Sequence, residues 1–391
     1  MLKYVIVTDD NPDSGVLKKA RYQVATLNRL GITSELHIIT PEKGNEQESS
    51  TIKFFYYGKF QRITILSRFV RAQKIRSIIS DIITTLHADD IFYYRGLEFM
   101  ILYYPRAFFR PFRKCRILSE HQSIEINQHL LYHEYGAAVI NALTGSIITG
   151  QSDAIIGVTE EITRYWKHRL FYRNLPSVTI PNGFSVPSVG VRNLPSYTPQ
   201  ELHVLFVGNV SRWHGLDRFI QGMAAYHGPV HVNVHIIGDG DELEHIKTLA
   251  CSLGLTRSVH FYGFLSGPDL DRVFDQYHVA IGSLGIHRNG MKQASALKVR
   301  EYCSRGIPFM ISNDDPDFPP TFPYCLSLPP DDTPISMDTV IGFYHAVYAH
   351  QSHAGEMREY AEEHLDWQVK GMQLKEFITK IAGAGALPDT H

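Results

Sequence analysis

Hydrophobic positions in the first half of the chain switch between the two-residue period of strands and the 3.6-residue period of helices. An apolar run at residues 4–8 predicts a buried strand, residues 16–30 predict an amphipathic helix that Gly31 ends, and residues 35–39 predict a second strand. Further parallel strands, interleaved with helical patterns, are predicted at residues 90–94, 116–119 and 154–158. The first half is therefore predicted to be one α/β domain.

This pattern breaks at residues 181–199, where Pro187, Pro195 and Pro199 stand among Asn, Ser and Gly without apolar periodicity. We therefore predict a linker here and a second Rossmann-like domain after it. Its strands are predicted at residues 203–207, 231–237 and 259–262, and its first helices at residues 216–225 and from Glu242.

Two further segments are predicted near the C-terminus. Residues 316–334 are rich in proline and lack periodicity, which predicts a surface excursion. A single long helix is predicted from about Gly355 to Ile381, with Trp367 near its middle. The predicted organisation is an N-terminal domain at residues 1–185, the linker at 186–200, a C-terminal domain at 201–354 and a helical tail at 355–391.

The composition is that of a folded protein without a strong charge bias. Its 391 residues suffice for two domains of ordinary size, and 44% of them are apolar and 20% charged. The formal charge of −2 argues against a nucleic-acid partner, because neutralising a phosphate backbone requires a basic excess. Four cysteines without paired spacing, no signal-peptide pattern and no apolar run of membrane length predict a reduced, cytoplasmic protein.

The most informative polar residues lie in MKQASALKVREYCSRGIP, residues 291–308. Ser295 is predicted to cap a helix that ends at Gly306, and the free N–H groups and dipole at the start of this helix suit phosphate. Lys298 adds a positive charge one turn later. Glu301 lies about 9 Å along the axis from Ser295, where it could accept hydrogen bonds from sugar hydroxyls. The alternative is an amphipathic helix on which Lys298 and Glu301 form an ordinary surface pair.

This segment resembles the Ser-x-x-Lys-x-x-Glu-Tyr-x-x-x-Gly-x-Pro signature of family 4 retaining glycosyltransferases, of the group 1 type. Gln293 stands where that family usually has a glutamate that touches the donor sugar. The resemblance implies the GT-B fold, which has two Rossmann-like α/β domains facing a cleft and a C-terminal helix that returns to the first domain. It also implies that the first domain binds the acceptor and the second the nucleotide sugar. The matched positions are Ser295, Lys298, Glu301, Tyr302, Gly306 and Pro308.

A second stretch, FVGNVSRWHGLDRFI at residues 206–220, resembles the first strand and loop of the family's donor domain. Arg212 matches an arginine that binds the diphosphate, the alternative being a surface charge, and His214 stands where a lysine is common. The shorter matches IPNG, IIGDGDE and FYGFLS follow in the family's order, and the last contains Phe264 in the loop that faces the base. The implied donor-binding residues are Gly15, Arg212, His214, Phe264, Gln293, Ser295, Ala296, Leu297, Lys298 and Glu301.

The first domain offers fewer candidates. Gly15 sits where the family has a small-residue loop near the donor phosphates, or in an ordinary strand-to-helix turn. His121, with Glu120 beside it, follows a predicted strand at the edge where ligands bind in open α/β sheets. The family commonly has a sugar-contacting histidine near this point, but a lone histidine can also be structural.

No metal or other cofactor is predicted. His129, His133 and Glu134 lack the H-E-x-x-H arrangement and a third ligand, which argues against a zinc site. The resemblance implies transfer of a hexose-type sugar from a UDP or GDP sugar to a glycan or lipid-linked acceptor, with retention, in cell-surface polysaccharide biosynthesis. The implied catalytic residues are His121, Arg212 and Lys298.

Two alternatives to a transferase remain open. A nucleotide-sugar 2-epimerase would share the GT-B architecture but would need additional acidic and histidine groups for proton abstraction. A non-catalytic nucleotide-sugar-binding or scaffold protein is the other alternative, because Gln293 and His214 replace charged groups that the family usually has.

Basic residues alternate with apolar ones at residues 59–79 and again at 106–116. Such segments can lie on an anionic membrane surface, which would place the protein peripherally at the inner face of the membrane and favour a lipid-linked acceptor. The alternative is a solvated helix face that packs on its own domain. The sequence leaves both interpretations open.

Overall fold

The computed structural model describes residues 1–9, 14–41, 48–59, 65–95, 101–169 and 175–383. The chain divides into two compact units. The first unit comprises Met1–Pro181 and the C-terminal segment that begins at Trp367, and the second comprises Asn182–Asp366. The second unit thus begins ahead of the predicted linker at residues 186–200 and extends into the predicted tail at 355–391.

The first unit is built on a parallel sheet. Its strands are β1 (Leu2–Val7), β2 (Ser34–Thr40), β3 (Ile52–Tyr56), β4 (Ile91–Arg95), β5 (Arg116–His121), β6 (Ala154–Gly157) and β7 (Ser177–Thr179). They are ordered β3-β2-β1-β4-β5-β6-β7. The helices between them are α1 (Gly15–Arg29), α2 (Ile65–Thr84), α3 (Glu125–Leu131), α4 (Tyr135–Thr149) and α5 (Glu160–Arg169).

Alternation along β1 explains why helices cover both faces of this sheet. Tyr4 packs in a core with Leu17 of α1, whereas the next residue, Val5, packs in the opposite core with Ile75 of α2. Successive strand residues point to opposite faces, so a strand buried on both sides needs apolar residues at nearly every position.

The second unit has a parallel sheet of its own. Its strands are β8 (Glu201–Val207), β9 (His231–Ile237), β10 (Val259–Gly263), β11 (Val279–Ile281), β12 (Phe309–Ile311) and β13 (Cys325–Ser327). They are ordered β10-β9-β8-β11-β12-β13. The helices are α6 (Leu216–Ala225), α7 (Leu243–Ser252), α8 (Gly267–Val273), α9 (Leu297–Arg305), α10 (Met337–Tyr348) and α11 (His353–His364). The prediction of two Rossmann-like α/β domains is confirmed.

The prediction of one long C-terminal helix is wrong. Helix α11 ends at His364, and a separate helix α12 (Trp367–Gly383) follows. At the break, a carboxylate oxygen of Asp366 accepts a hydrogen bond from the Val186 N–H at 3.0 Å. This residue is therefore held by the start of the second unit instead of continuing the helix.

Helix α12 packs on α1 in the first unit. Its buried Leu374 and Ile378 join the core that contains β1. Gly371 permits the close approach, because a Cβ there would lie 2.5 Å from the Thr26 side chain. The Lys375 ammonium donates to the Leu30 carbonyl at 2.8 Å. The returning helix that the GT-B resemblance implies is thus present in the first unit.

Residues 316–334 were expected to form a surface excursion, and that expectation is wrong for their aromatic residues. Phe318, Phe322 and Tyr324 are buried in one of the cores of the second unit. Phe318 and Phe322 lie with ring centroids 5.4 Å apart. Prolines interrupt the periodicity of this segment, yet its aromatic side chains still supply apolar area to the core.

The predicted linker at residues 186–200 is held against the second unit by Arg192. The buried Arg192 side chain donates to the carbonyl of Gly306 at 3.1 Å and to the Tyr348 hydroxyl at 3.1 Å. A guanidinium can satisfy several backbone acceptors at once, so this stretch is an ordered part of the unit despite its prolines.

A group of histidines lies on one face of the second sheet. Nitrogens of His203 and His235 are 3.0 Å apart, and His235 stacks on His260 with ring centroids 4.7 Å apart. The Tyr262 hydroxyl lies 2.9 Å from the other ring nitrogen of His235. Burial, aided by the neighbouring imidazoles, lowers the pKa of His235 to about 3 from its ordinary 6.5.

We predict that acid destabilises the second unit through this group. A histidine with a depressed folded pKa contributes stability that is present above pH 6.5 and is lost as pH falls towards about 3. By pH 4.5 the His235→Gln variant should have lost about 2 kcal/mol less unfolding free energy than the wild type, measured by urea unfolding at a series of pH values. The exposed His227→Gln variant is the control and should follow the wild-type profile. Parallel pH profiles for wild type and His235→Gln would contradict the prediction.

Candidate functional site

Two loops meet where the strand order of the second sheet reverses, at the carboxyl ends of β8 and β11. The Leu284 N–H donates to the His214 carbonyl at 3.0 Å, and the Gly285 N–H donates to the Trp213 carbonyl at 3.1 Å. Gly215 has a φ of 62°, and a Cβ there would lie 2.7 Å from the Leu284 carbonyl carbon. In open parallel sheets, ligands bind at this kind of reversal.

The turn after β8 begins with a glycine, because a side chain at that position would have little room. Gly208 has a φ of 137°, and a Cβ there would lie 3.2 Å from the Lys298 ammonium nitrogen. A Cβ on Gly238, after β9, would lie 1.9 Å from the Gly208 carbonyl oxygen. The two glycines therefore let the backbone approach both each other and the lysine.

Lys298 is the most unusual charged residue of the second unit. Its ammonium nitrogen is buried and has no hydrogen-bond partner among the described residues. It lies 3.8 Å from the centre of the Phe206 ring. Burial lowers the pKa of Lys298 well below its ordinary 10.5. A buried ammonium without an acceptor is costly, and an anion bound beside it would remove that cost.

Lys298 belongs to the first turn of α9, and that turn has open N–H groups. Ala296 is the N-cap residue and gives no side-chain hydrogen bond. The predicted capping by Ser295 is wrong. Its hydroxyl instead accepts a hydrogen bond from the Asn182 N–H at 2.8 Å, while the Asn182 amide donates to the Ser295 carbonyl at 2.6 Å. The N–H groups and dipole at the start of α9 are thus free of a side-chain cap.

A buried ion-pair cluster anchors the same helix. The Arg300 guanidinium donates to both carboxylate oxygens of Asp315 at 2.6 Å, to Asp317 at 2.7 Å and to the Asn182 carbonyl at 2.9 Å. Paired, bidentate geometry of this kind fixes orientation as well as position. The cluster holds α9 and the residues around Asn182 in one arrangement.

His214 stands where the family commonly has a lysine, and here it is neutral. Its ring is buried against Phe206, and its Nδ1 accepts a hydrogen bond from the Ser211 N–H at 3.3 Å. Burial and, second, the nearby charge of Lys298 lower the pKa of His214 well below its ordinary 6.5. His214 thus shapes the loop and lies near Lys298 without adding a second positive charge.

Arg212, in the loop after β8, is the second cation of the candidate site after Lys298 and is partly exposed. Its Nε lies 4.0 Å from a carboxylate oxygen of Glu242, and its side chain is 40% exposed. The Arg212 carbonyl accepts a hydrogen bond from Arg288 at 3.0 Å, and Arg288 also pairs with Asp217 through both carboxylate oxygens. The backbone of Arg212 is therefore fixed while its guanidinium reaches solvent.

The other predicted donor-binding residues of the second unit have different surroundings. Glu301 is partly buried, and one of its oxygens accepts two hydrogen bonds from Arg305, at 2.9 and 3.0 Å. Phe264 follows β10 and is 55% exposed, so its ring face is available for stacking. Gln293 forms an isolated backbone bridge with Asp314. Leu297, the remaining one, is the first residue of α9.

The first unit contains Gly15 and His121. Gly15 is the exposed first residue of α1, and Ser14 caps that helix by accepting from the Leu17 N–H at 3.3 Å. The His121 ring is fully buried and stacks on Trp166 with centroids 4.2 Å apart. Burial lowers the pKa of His121 to about 3, so the imidazole is neutral.

Glu120 serves the core of the first unit. This buried carboxylate pairs with the Lys19 ammonium and accepts hydrogen bonds from the hydroxyls of Tyr4 and Tyr93. Burial alone would raise the pKa of Glu120. The charge of Lys19 and these hydrogen bonds nevertheless hold this pKa below its ordinary value. The strand-end position of Glu120 in the sequence is thus explained by an ion pair inside the unit.

Metal ligation finds little support in the described part of the chain, where no group of three or more His, Cys, Asp or Glu residues is placed to hold an ion. The Nδ1 of His129 lies 2.7 Å from a Glu134 carboxylate oxygen, and the Nδ1 of His133 lies 3.1 Å from the Tyr135 hydroxyl. His129 and His133 therefore each have a partner close to them in the sequence.

Three residues of this site were not identified from the sequence. Phe206 supplies the ring beside the Lys298 ammonium, Asn182 holds Ser295, and Gly238 makes room for the turn at Gly208. Asn182 and Gly238 lie in IPNG and IIGDGDE, two short family matches in which no candidate site residue was named. A glycine or asparagine in a turn can indicate close backbone contact, but the partner in each case is distant in the sequence.

The sequence of the second unit is similar to that of a known protein family. The profile of the family described as Glycosyl transferases group 1 matches residues 196–319. None of the curated protein sequences matches the chain.

Solved structures match nearly the whole chain. Sucrose-phosphate synthase from Thermosynechococcus elongatus aligns with a TM-score of 0.72 at 15% identity, over 98% of this chain and 100% of that one. HepE from Anabaena, solved with UDP and glucose, aligns with a TM-score of 0.68 at 14% identity, over 97% and 99%. WaaG, a glycosyltransferase involved in lipopolysaccharide biosynthesis, aligns with a TM-score of 0.63 at 12% identity, over 97% and 100%. The chain therefore has the GT-B fold of the solved glycosyltransferases, and residues 196–319 of its second unit resemble the glycosyl transferases group 1 family.

Proposed function

We propose that the protein transfers a hexose-type sugar from a UDP or GDP sugar to a glycan or lipid-linked acceptor, with retention of configuration. The observation that carries this proposal is the buried ammonium of Lys298, which has no hydrogen-bond partner among the described residues and lies at the uncapped start of α9. A diphosphate supplies the negative oxygens that both features require.

Each part of the donor is assigned to a different element. The diphosphate binds at Lys298 and the first N–H groups of α9, with the partly exposed Arg212 closing on it from the loop after β8. The ribose hydroxyls donate to Glu301, which lies one turn further along the helix. The exposed ring of Phe264 stacks on the base, and Gln293 contacts the sugar through its amide.

The reaction requires little covalent help from the protein. As the bond between the sugar carbon and the diphosphate oxygen breaks, negative charge grows on that oxygen and Lys298 and Arg212 stabilise it. The acceptor hydroxyl forms the new bond on the same face, and its proton passes to the departing phosphate oxygen. The two cations supply the positive charge, so the proposal includes no metal. Gly15 and His121 remain predictions for the contacts of the first unit with phosphate and sugar.

The similar structures suggest which donor to test first. HepE was solved with UDP and with UDP-glucose. This supports beginning with UDP sugars, followed by GDP sugars. Lipopolysaccharide biosynthesis, named for WaaG, supports glycan and lipid-linked acceptors as the first class to screen.

Lys298→Met is expected to weaken UDP binding by about 100-fold, because it removes a charge-assisted contact from a site closed to water. Isothermal titration calorimetry measures this loss. The variant should unfold no more easily than the wild type, since methionine has no charge to bury. Lys247→Met is the matched control, because that lysine is exposed and paired with Glu244. Equal UDP affinity in wild type and Lys298→Met would contradict the site.

The depressed pKa of Lys298 predicts that UDP binding takes up protons. The free lysine loses its proton readily because burial disfavours the charged form, and a bound diphosphate restores the ordinary preference for that form. Calorimetry above neutral pH, in two buffers with different ionisation enthalpies, should give an uptake of as much as about one proton per UDP. Lys298→Met should show no such uptake. Equal uptake in both proteins would contradict the assigned role.

Glu301→Ala is expected to abolish detectable nucleotide binding and transfer, because the ribose hydroxyls lose their acceptor. Glu244→Ala, which changes an exposed glutamate, should leave both unchanged. Retained nucleotide affinity in Glu301→Ala would contradict the assignment.

Turnover separates the proposed transferase from its two alternatives. The purified wild type is incubated with a panel of UDP and GDP sugars, with and without acceptor glycans, and the products are identified by mass spectrometry. A transferase releases nucleotide and lengthens an acceptor. Binding without turnover of any donor would instead favour a scaffold, and conversion of the donor into its 2-epimer would favour an epimerase.

A further inference from the structure

Helix α4 in the first unit presents an apolar stripe to solvent. Its fifteen residues, YGAAVINALTGSIIT, include no charged residue. The exposed stripe has side chains that are between 50% and 67% exposed, far more than a surface helix normally leaves uncovered. We call these residues the α4 stripe, and they are Tyr135, Val139, Ile140, Leu143 and Ile147.

The opposite face of α4 is already occupied by the first unit. Ala138, Asn141 and Ile148 are buried, and Gly145 brings the helix close to Trp166, with a Cβ position 3.3 Å from that ring. The buried and exposed residues follow the 3.6-residue period on two opposite sides of one helix. The side of α4 that packs on the core is thus a different one, and the stripe is available to a partner.

A basic segment borders the C-terminal end of α4. The Arg110 N–H donates to the Gln151 side chain at 3.1 Å, and the Arg110 guanidinium donates to the Ser152 carbonyl at 2.9 Å. In the same segment, residues 106–114, the exposed Arg106 lies 3.7 Å from the centre of the exposed Phe112 ring. Lys114 is exposed as well. This segment contains no acidic residue.

A further cation lies at the middle of the helix. The Arg169 guanidinium, from α5, donates to the Ala142 carbonyl at 2.6 Å. The nearest acidic group at the other end, Glu134, faces His129 at 2.7 Å. Arg110 and the buried Arg113 pair with Asp153, at 3.4 and 2.5 Å, so the exposed cations of the bordering segment are Arg106 and Lys114.

We propose that the α4 stripe and residues 106–114 dock the protein on an anionic lipid bilayer. Apolar side chains flanked by cations match the layering of a bilayer interface, where acyl chains lie beneath negative headgroups. The helix is about 22 Å long at 1.5 Å per residue, shorter than a hydrocarbon core of about 30 Å, and one of its faces is already buried. It therefore lies in the interface, and none of the described helices is long and apolar enough to cross a membrane.

A second copy of the chain is a poorer occupant of this surface. A symmetric dimer through the stripe would place the same patch against itself, so the arginines and lysines that border it would face their own copies. An anionic bilayer meets the same cations with opposite charge. The proposal needs neither donor nor acceptor, so it stands or falls separately from sugar transfer.

The test is cosedimentation of the full chain with lipid vesicles. Wild type should bind vesicles of phosphatidylcholine and phosphatidylglycerol, and much less those of phosphatidylcholine alone. Leu143→Ser combined with Ile147→Ser should weaken binding on the order of tenfold or more, since both side chains are exposed and serve no core contact. Arg106→Glu combined with Lys114→Glu should abolish the preference for the anionic lipid.

The matched control combines Leu253→Ser with Met372→Ser, two exposed apolar residues outside the proposed surface, and should bind as the wild type does. Absence of binding by the wild type, or unchanged binding by the α4 double variant, would overturn the proposal. Sedimentation velocity without lipid tests the other occupant. A wild-type dimer that the α4 double variant converts to a monomer, with no binding to vesicles, would assign the stripe to a second copy.

Discussion

The constraint on which the second unit depends is a buried lysine side chain whose amine nitrogen has no hydrogen-bond partner among the described residues. The ammonium of Lys298 is enclosed by the Phe206 ring and the turn at Gly208, where water cannot solvate it. Removing a charge from water in this way opposes folding, so the surrounding structure has to enforce it. The proposed anion site is thereby formed before an anion arrives, so binding there requires little rearrangement.

The enforcing structure is largely ionic and distant from the ligand. Arg300 holds α9 through Asp315 and Asp317, and the Asn182 backbone and side chain connect that helix to the beginning of the unit. The geometry of the proposed anion site therefore rests on residues that are not assigned any contact with the anion. Substitutions in this cluster would change donor affinity through the position of α9 and not through charge.

Periodicity and local signatures in the sequence predicted the α9 helix and eight of the described strands, β1, β2, β4, β5, β6, β8, β9 and β10, but not β3, β7, β11, β12 and β13. They failed where the outcome depends on a distant partner. Ser295 has the chemistry of a cap, yet the Asn182 backbone occupies its hydroxyl. Residues 316–334 have the composition of a loop, yet Phe318 and Phe322 fill a core. The break before Trp367 depends on a hydrogen bond between Asp366 and Val186, which no local pattern contains.

The return of α12 to the first unit gives the chain a definite order of assembly during synthesis. The second unit is a continuous segment whose ends are joined by the hydrogen bond from the Phe184 N–H to the Leu365 carbonyl, at 2.8 Å. It can complete its core as soon as Asp366 has left the ribosome. The first unit emerges earlier but has to wait for Leu374 and Ile378 to cover β1 and α1. The unit that is translated first is therefore the last to be finished, and a truncation near the C-terminus damages the N-terminal half of the protein.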